Sequence, residues 1–431
     1  MSAPPHTLGL VEAATAIRHG RLTAEALVRS CLDRIGAREP EVHAWVHLDP
    51  DAAIAAARRA DAAGPGGPLH GVPIAVKDLI DTHDLPTGYG TPIYRGHRPP
   101  WDAACVALAR RAGAIVLGKT VTTEFAYFSP GPTANPHDLT RTPGGSSSGS
   151  AAAVADRMVP IGFGTQTAAS VTRPASFCGL VGYKASHGQF SLAGIKPFAV
   201  SFDSLGLLAR GVADAQWMRQ ALLGLSVAPD APAPGRPLRI GLCRTPWWSA
   251  ADPDARAAFE TAARRLADAG VEVTEAPPPE GFEALLEVHK MIMACEAAAS
   301  LSFEHDAHAA RLSPQLCQLL DDGRGRTRAE FLAALQTAAS ARATFEGWAR
   351  GWDALLAPSA TGAAPVGLGA TGDPVFSRLW TLLQGPSVTL PGLTAANGLP
   401  VGVQLIGRMG QDDTLLAVAR WAEPVVAGTA G

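Results

Sequence analysis

The chain has 431 residues, 47% hydrophobic and 17% charged, with 39 acids against 36 lysines and arginines for a net charge of −3. That is apolar material for one big domain or two intimate ones, with a charge too balanced to steer it toward nucleic acid or an anionic membrane. No stretch approaches the ~18 uninterrupted apolar residues of a transmembrane helix, and the start, Met-Ser-Ala-Pro-Pro-His, lacks a signal-peptide pattern.

Residues 8–35 read as helical, with Thr23 able to cap a second segment that carries Leu27, Val28, Cys31 and Leu32, and Pro40 punctuates. Residues 42–48 alternate like a strand, and 51–62 form an alanine-rich helix. The first strong strand signal is 69–80, where Val72, Ile74 and Val76 alternate and Lys77 follows at the strand's end beside Asp78. Turns run to Pro100, then a helix over 103–112 and a buried strand over 114–117. A small-residue helix over 147–156 starts right after Gly144-Gly145, and a short strand occupies 159–163. Residues 185–210 show no period and carry Gly188, Gly194 and Pro197, which predicts a long loop over a site. Residues 228–237, rich in Pro and Ala, read as a linker. A strand (239–243), a helix capped by Asp252 (252–269), a strand (271–274) and mostly helix over 281–350 follow. Returning strands at 353–357, 387–390 and 401–406 and a last helix at 414–422 complete the chain. The alternation predicts an α/β fold: a large mixed or parallel sheet, largely buried under helices. We expect one domain, with a catalytic core at about 65–215, a more variable helical region at about 215–350, and the returning strands and last helix over 351–425.

Two loops rich in small residues present serines: Gly144-Gly145-Ser146-Ser147-Ser148-Gly149-Ser150, and Thr165 to Thr172 around Ser170. The first lacks the Gly-Lys-Ser/Thr ending of a phosphate loop. It can be a linker, as Gly/Ser tracts usually are, or it can expose serines at a helix N-terminus, where backbone N–H groups favour developing negative charge. The second is small enough to let backbone N–H groups approach a substrate oxygen. None of the 12 histidines stands in a nucleophile-elbow context, and there is no His-Glu-x-x-His or tight His/Asp cluster. The six cysteines are scattered without C-x-x-C spacing, which suits reduced, buried residues of a cytoplasmic protein. No metal and no cofactor are expected.

The sequence resembles the amidase signature family of serine hydrolases, in particular its malonamidase-like, general amidase branch. The resemblance rests on Gly71-Val72-Pro73-Ile74-Ala75-Val76-Lys77-Asp78, on Pro143–Ala153, on Gly164–Gly182, and on the late Gly398-Leu399-Pro400-Val401-Gly402-Val403-Gln404. It runs nearly end to end and is weakest over 215–350. It implies a large mixed, twisted sheet with helices on both faces and a Ser–cisSer–Lys triad. Ser170 is then the nucleophile, Ser146 the bridging serine on a cis peptide bond, and Lys77 the base. The N–H groups of Thr167, Ala168, Ala169 and Ser170 form the oxyanion hole, and Ser147 supports the relay. A serine needs an adjacent base, and a lysine can serve only when neutral, hence desolvated or near other positive charge.

This chain departs from the common family form Asp-Thr-Gly-Gly-Ser-Ile-Arg: Gln166 stands for Asp, Ala168-Ala169 for Gly-Gly, and Thr172 for Arg, with Arg173 one place later. Arg173 reads as a structural anchor or as a substrate contact. Tyr127, Phe128, Ile195 and Phe198 are expected to line the pocket, with Phe177, Phe190, Leu192, Phe202 and Trp380 as further candidates for walls or lid. The aromatic content of 187–202 favours a bulky uncharged group. The expected activity is hydrolysis of non-peptide C–N bonds in amides, anilides and carbamates (urethanes), with some ester activity. The partner is then a small amide or carbamate substrate, with no nucleic acid and no membrane, and a homodimer is compatible with the resemblance. The alternatives are the glutamine-hydrolysing A subunit of a tRNA-dependent amidotransferase, and a silent binding protein built on the same fold.

Overall fold

The computed structural model describes residues 3–227 and 237–430. The stretch read as a Pro/Ala linker lies almost wholly outside them. Eleven strands form one mixed sheet: β1 (Trp45–Leu48), β2 (Pro73–Lys77), β3 (Ile115–Thr120), β4 (Ile161–Gln166), β5 (Val181–Lys184), β6 (Ser204–Ala209), β7 (Arg239–Leu242), β8 (Glu272–Glu275), β9 (Ala354–Pro358), β10 (Ser387–Thr394) and β11 (Pro400–Ile406), in the order β1-β3-β2-β4-β6-β5-β10-β11-β9-β7-β8. β2 runs parallel to both β3 and β4, and β7 runs parallel to β8 and β9. The pairs from β4 to β9 are antiparallel. Helices cover both faces, so β2, β3, β4, β5, β6 and β9 are buried along their whole length. Strands buried on both faces read as continuous apolar runs, without the alternation of a half-exposed strand.

That burial explains the main correction to the sequence reading. Residues 204–209, Ser-Leu-Gly-Leu-Leu-Ala, were expected within a long loop, yet they form β6 near the middle of the sheet, between β4 and β5. With no polar face, the segment has no period to detect. The helices Thr172–Cys178, Val212–Leu223 and Val375–Leu382 were likewise not anticipated. Thr23 caps as expected, its side chain accepting from the Ala26 N–H, but the helix continues through Pro40 to Val42. Pro40 lies in the last turn, so the helix ends within two residues of it.

The carboxyl ends of the parallel strands β2 and β4 lie side by side, where open α/β sheets gather ligands. Lys77 ends β2 and Gln166 ends β4. The loop after β4 carries Ser170, and the loop entering the helix Ser148–Ala155 carries Ser146 and Ser147. No helix among the described residues is long and apolar enough to cross a membrane.

Candidate active site

Lys77 is wholly buried. Its Nζ lies 2.7 Å from Ser146 Oγ and 2.8 Å from Thr165 Oγ1. Asp78, its neighbour in sequence, pairs instead with buried Lys119 at 3.2 Å, so the Lys77–Asp78 pair is not made. Among the described residues no carboxylate stands at ion-pair distance from Lys77. Burial pulls its pKa down to about 7, against an opposing upward pull from Asp203. A buried ammonium without a counter-charge loses its proton readily.

The Gly145–Ser146 peptide is cis. Ser147 does not touch the relay hydroxyls; its Oγ lies 3.4 Å from both the N and the O of Thr165, and its N–H faces the Ser170 carbonyl at 3.4 Å. Its place is to tie the two serine loops to β4. Ser146 and Ser170 line the same cavity, and the Ser170 hydroxyl makes no hydrogen bond among the described residues.

Residues 167–170 show a consistent asymmetry. All four carbonyls are engaged: Thr167 O by His289 Nε2 (3.0 Å), Ala168 O by Thr381 Oγ1 (2.8 Å), Ala169 O by the Arg173 N–H (3.0 Å) and Ser170 O by the Ser147 N–H. The four N–H groups make no hydrogen bond among the described residues. N–H groups left free beside a serine are available to an oxyanion. Neither Ala168 nor Ala169 has a positive φ, so alanine sits there without backbone cost.

Gln166 accounts for the loss of the family's aspartate. Its Oε1 accepts from the N–H of Val171 (2.9 Å), the N–H of Thr172 (3.1 Å) and Thr172 Oγ1 (3.2 Å), while Nε2 donates to Thr381 Oγ1 (3.1 Å). Arg173 is buried and donates to Gly372 O (2.5 Å), Gly145 O (2.8 Å) and Thr371 Oγ1 (2.9 Å), clamping the Gly145–Ser146 loop. Of its two readings, anchoring accounts for every hydrogen bond it makes.

The cleft over Ser170 is narrow, about 30 Å³, and shares Tyr127, Phe128, Met293, Pro374 and Arg378 with a vestibule of about 720 Å³. Tyr127, Phe128, Arg173 and Phe198 line the cleft as expected, with Tyr127 stacked on Phe198 at 5.6 Å. Ile195 does not: it pairs with Ile80 and lines a separate cavity of about 310 Å³ behind Thr165 and Thr167. Leu192 lines that cavity too, Phe202 stacks on His289, and Phe177 and Trp380 are buried packing. Of the aromatic residues in 187–202, only Phe198 therefore reaches the cleft; Met293, Thr371, Pro374 and Arg378 complete it.

Besides Met293, Thr371 and Pro374, five residues at the site escaped the sequence reading. Thr165 holds Lys77. Asp203, buried, accepts from Thr167 Oγ1 (2.5 Å) and the N–H groups of Phe198 and Ala199, and burial raises its pKa to about 6. His289 and Thr381 fix the carbonyls of the serine loop, and Arg378 lies behind His289. Only Thr165, inside the small-residue run, carried a local signal. Away from the cleft, His83, Asp84 and Asp102 stand close enough to share an ion, but Arg110 pairs with both carboxylates.

The amidase family model matches residues 26–416. The A subunit of glutamyl-tRNA(Gln) amidotransferase from Acidothermus cellulolyticus is 36% identical over 467 aligned positions, covering 95% of this chain and 92% of that one. Its counterpart from Chloroflexus aurantiacus is 35% identical, covering 96% and 95%. Among solved structures, one amidase superposes with a TM-score of 0.88 at 32% identity over 96% of this chain and 99% of that one. The peptide amidase of Stenotrophomonas maltophilia gives 0.82 at 29%, covering 96% of each. The chain belongs to the amidase-signature family and is an enzyme that hydrolyses carbon–nitrogen bonds.

Proposed function

We propose that this chain hydrolyses small linear amides through an acyl-enzyme on Ser170. Neutral Lys77 takes a proton from Ser146 as Ser146 takes one from Ser170, and Ser170 Oγ attacks the scissile carbonyl. The developing oxyanion lies against the N–H groups of Thr167 to Ser170. The proton returns through Ser146 to the departing nitrogen, and a water repeats the sequence to release the acid. The observation that carries this reading is a fully buried lysine in hydrogen-bond contact with Ser146, with a pKa of about 7. The test is ammonia or amine release from a panel of aliphatic amides, anilides, carbamates and esters. Ser170→Ala abolishes turnover and Lys77→Ala nearly does; turnover by Ser170→Ala at the parent rate refutes the assignment.

The curated relatives favour a second reading at least as strongly, that of the glutamine-hydrolysing component of a tRNA-dependent amidotransferase. Ammonia release from glutamine only when partner proteins are present would select it. Release from simple amides by this chain alone selects the first.

A further inference from the structure

Thr167, the first residue of the run with free N–H groups, is held at both of its other polar ends. Its hydroxyl donates to Asp203 Oδ1 at 2.5 Å, and its carbonyl faces His289 Nε2 at 3.0 Å. The two anchors come from distant parts of the chain and meet through a ring contact. Phe202, next to Asp203 in sequence, stacks on the His289 imidazole with centroids 4.4 Å apart and planes 7° from parallel. His289 lies on the helix Leu285–Ser300 and is wholly buried. Its other ring nitrogen, Nδ1, faces Nη1 of Arg378, on the helix Val375–Leu382, at 3.0 Å.

Those two contacts fix the state of the imidazole. A carbonyl can only accept and a guanidinium can only donate, so Nε2 carries the proton and Nδ1 offers its lone pair. A second proton on Nδ1 would face the Arg378 charge. Burial first, and then that charge, hold the His289 pKa well below its ordinary value. The histidine is therefore a neutral donor in one tautomer, and what it acts on is Thr167. The carbonyl of Thr167 and the N–H of Ala168 belong to one planar trans peptide, so they point in opposite directions. Fixing the carbonyl on His289 fixes the direction of the Ala168 N–H, which has no partner among the described residues. Thr167 and Ala168 both line the cleft with Ser170. A hydrogen bond to a peptide oxygen also polarises the peptide and makes its N–H a stronger donor.

We propose that His289 is a positioning residue for the reaction: locked in one tautomer by Arg378, it fixes and polarises the Thr167–Ala168 peptide so that the Ala168 N–H meets the negative oxygen of the tetrahedral intermediate. The proposal rests on the reading of Ser170 as nucleophile. Thr381 serves the next peptide, its Oγ1 donating to the Ala168 carbonyl at 2.8 Å. His289 differs from Thr381 in having a cation at its back. The guanidinium polarises the ring in the sense that favours an anion at the Ala168 N–H.

The experiment compares His289→Gln and His289→Asn with the parent. In glutamine, as in the imidazole, a donor nitrogen and an acceptor atom flank one carbon, so both contacts can be kept. Asparagine is one bond shorter and gives up the contact with Thr167. Neither substitution changes the charge at the site, so the acid limb set by Lys77 keeps its midpoint in both. On a primary amide, His289→Asn lowers kcat by about 10- to 100-fold, below the loss from deleting an oxyanion donor outright, while KM changes by less than about threefold. His289→Gln recovers most of that loss. Calorimetry with propylboronic acid gives a second readout that needs no turnover. Ser170 Oγ bonds to boron, its proton passes through Ser146 to Lys77, and the boron becomes a tetrahedral anion like the intermediate. Its Kd rises in His289→Asn by the factor that kcat falls, and His289→Gln restores it. Parent-like kcat and boronate affinity in His289→Asn, a rise in KM alone, or a His289→Gln no better than His289→Asn each overturn the inference. Circular dichroism shows which variants are folded; where His289→Asn is not, loss of boronate affinity in a folded His289→Gln overturns it. All of these leave the amide-hydrolase reading standing, provided that Ser170→Ala abolishes turnover and boronate binding. Turnover that survives Ser170→Ala refutes that reading, and the role given to His289 with it.

Discussion

The acid limb of the pH profile is the sharpest test of Lys77. At its ordinary pKa of about 10.5 only about one lysine in three thousand is neutral at pH 7. With the pKa brought to about 7 by burial, half are neutral. The reaction needs the neutral amine, so kcat/KM rises with pH through about 7 and levels off above it. Two pH units below the midpoint about one molecule in a hundred is competent, so activity at pH 5 is lower than the plateau by up to about 100-fold. Asp203 modifies the limb. Its negative charge favours the lysine proton, and with its own pKa near 6 it becomes neutral as the pH falls. The pull on Lys77 then fades and the limb flattens below pH 6. Asp203→Asn removes that pull at every pH and moves the midpoint of the limb to lower pH. The assay is initial-rate ammonia release from a primary amide over pH 5–9, with circular dichroism at each pH to show that the fold persists. A flat profile down to pH 5, or a midpoint that rises in Asp203→Asn, refutes the assignment of Lys77 as base.

Gln166→Ala leaves the buried N–H groups of Val171 and Thr172 without their acceptor. At about 1–3 kcal/mol for an unsatisfied buried group, we expect at least about 2 kcal/mol of lost stability in urea, together with a fall in kcat from a loosened Ser170 turn; unchanged values for both contradict the role given to it. Gly149→Ala places a Cβ 2.2 Å from the Ala44 carbonyl oxygen and 2.4 Å from the Val121 nitrogen, both backbone atoms of packed neighbours. Overpacking of this kind costs about 1–3 kcal/mol or more, and a denaturation midpoint equal to the parent's would show that the helix Ser148–Ala155 has room to shift.

What was legible in the sequence was local. β2 could be found because Val72, Ile74 and Val76 alternate and a charged Lys77 ends the run. The helix at Ser148–Ala155 could be found because small apolar residues follow Gly144-Gly145 directly. The expected trio was named by motif, and Lys77 and Ser146 do meet. β6 escaped because both its faces are buried. The outer half of the site escaped for another reason: His289, Arg378 and Thr381 lie about 120 to 210 residues beyond the serine loop and act through contacts with its carbonyls or with each other. No spacing rule connects such residues. The pocket aromatics failed because composition reports that a stretch contains rings but not which way they point; Phe198 turns into the cleft and Phe202 turns onto His289.

The departures around Ser170 form a coupled set. The common family form carries an aspartate and an arginine on either side of the nucleophile; here Gln166 and Thr172 take those places, and a charged pair becomes a neutral one. Both positions are buried, so removing only one charge would leave the other buried and unpaired, which is costly. With both gone the hydrogen bonds are still made: Gln166 Oε1 accepts the donors that follow Ser170, and the Thr172 hydroxyl also meets Ser377 Oγ at 2.8 Å. The arginine charge reappears one residue later at Arg173, where it holds the Gly145 carbonyl and with it the loop of Ser146. One positive charge thus ties the helix that follows Ser170 to the loop of Ser146.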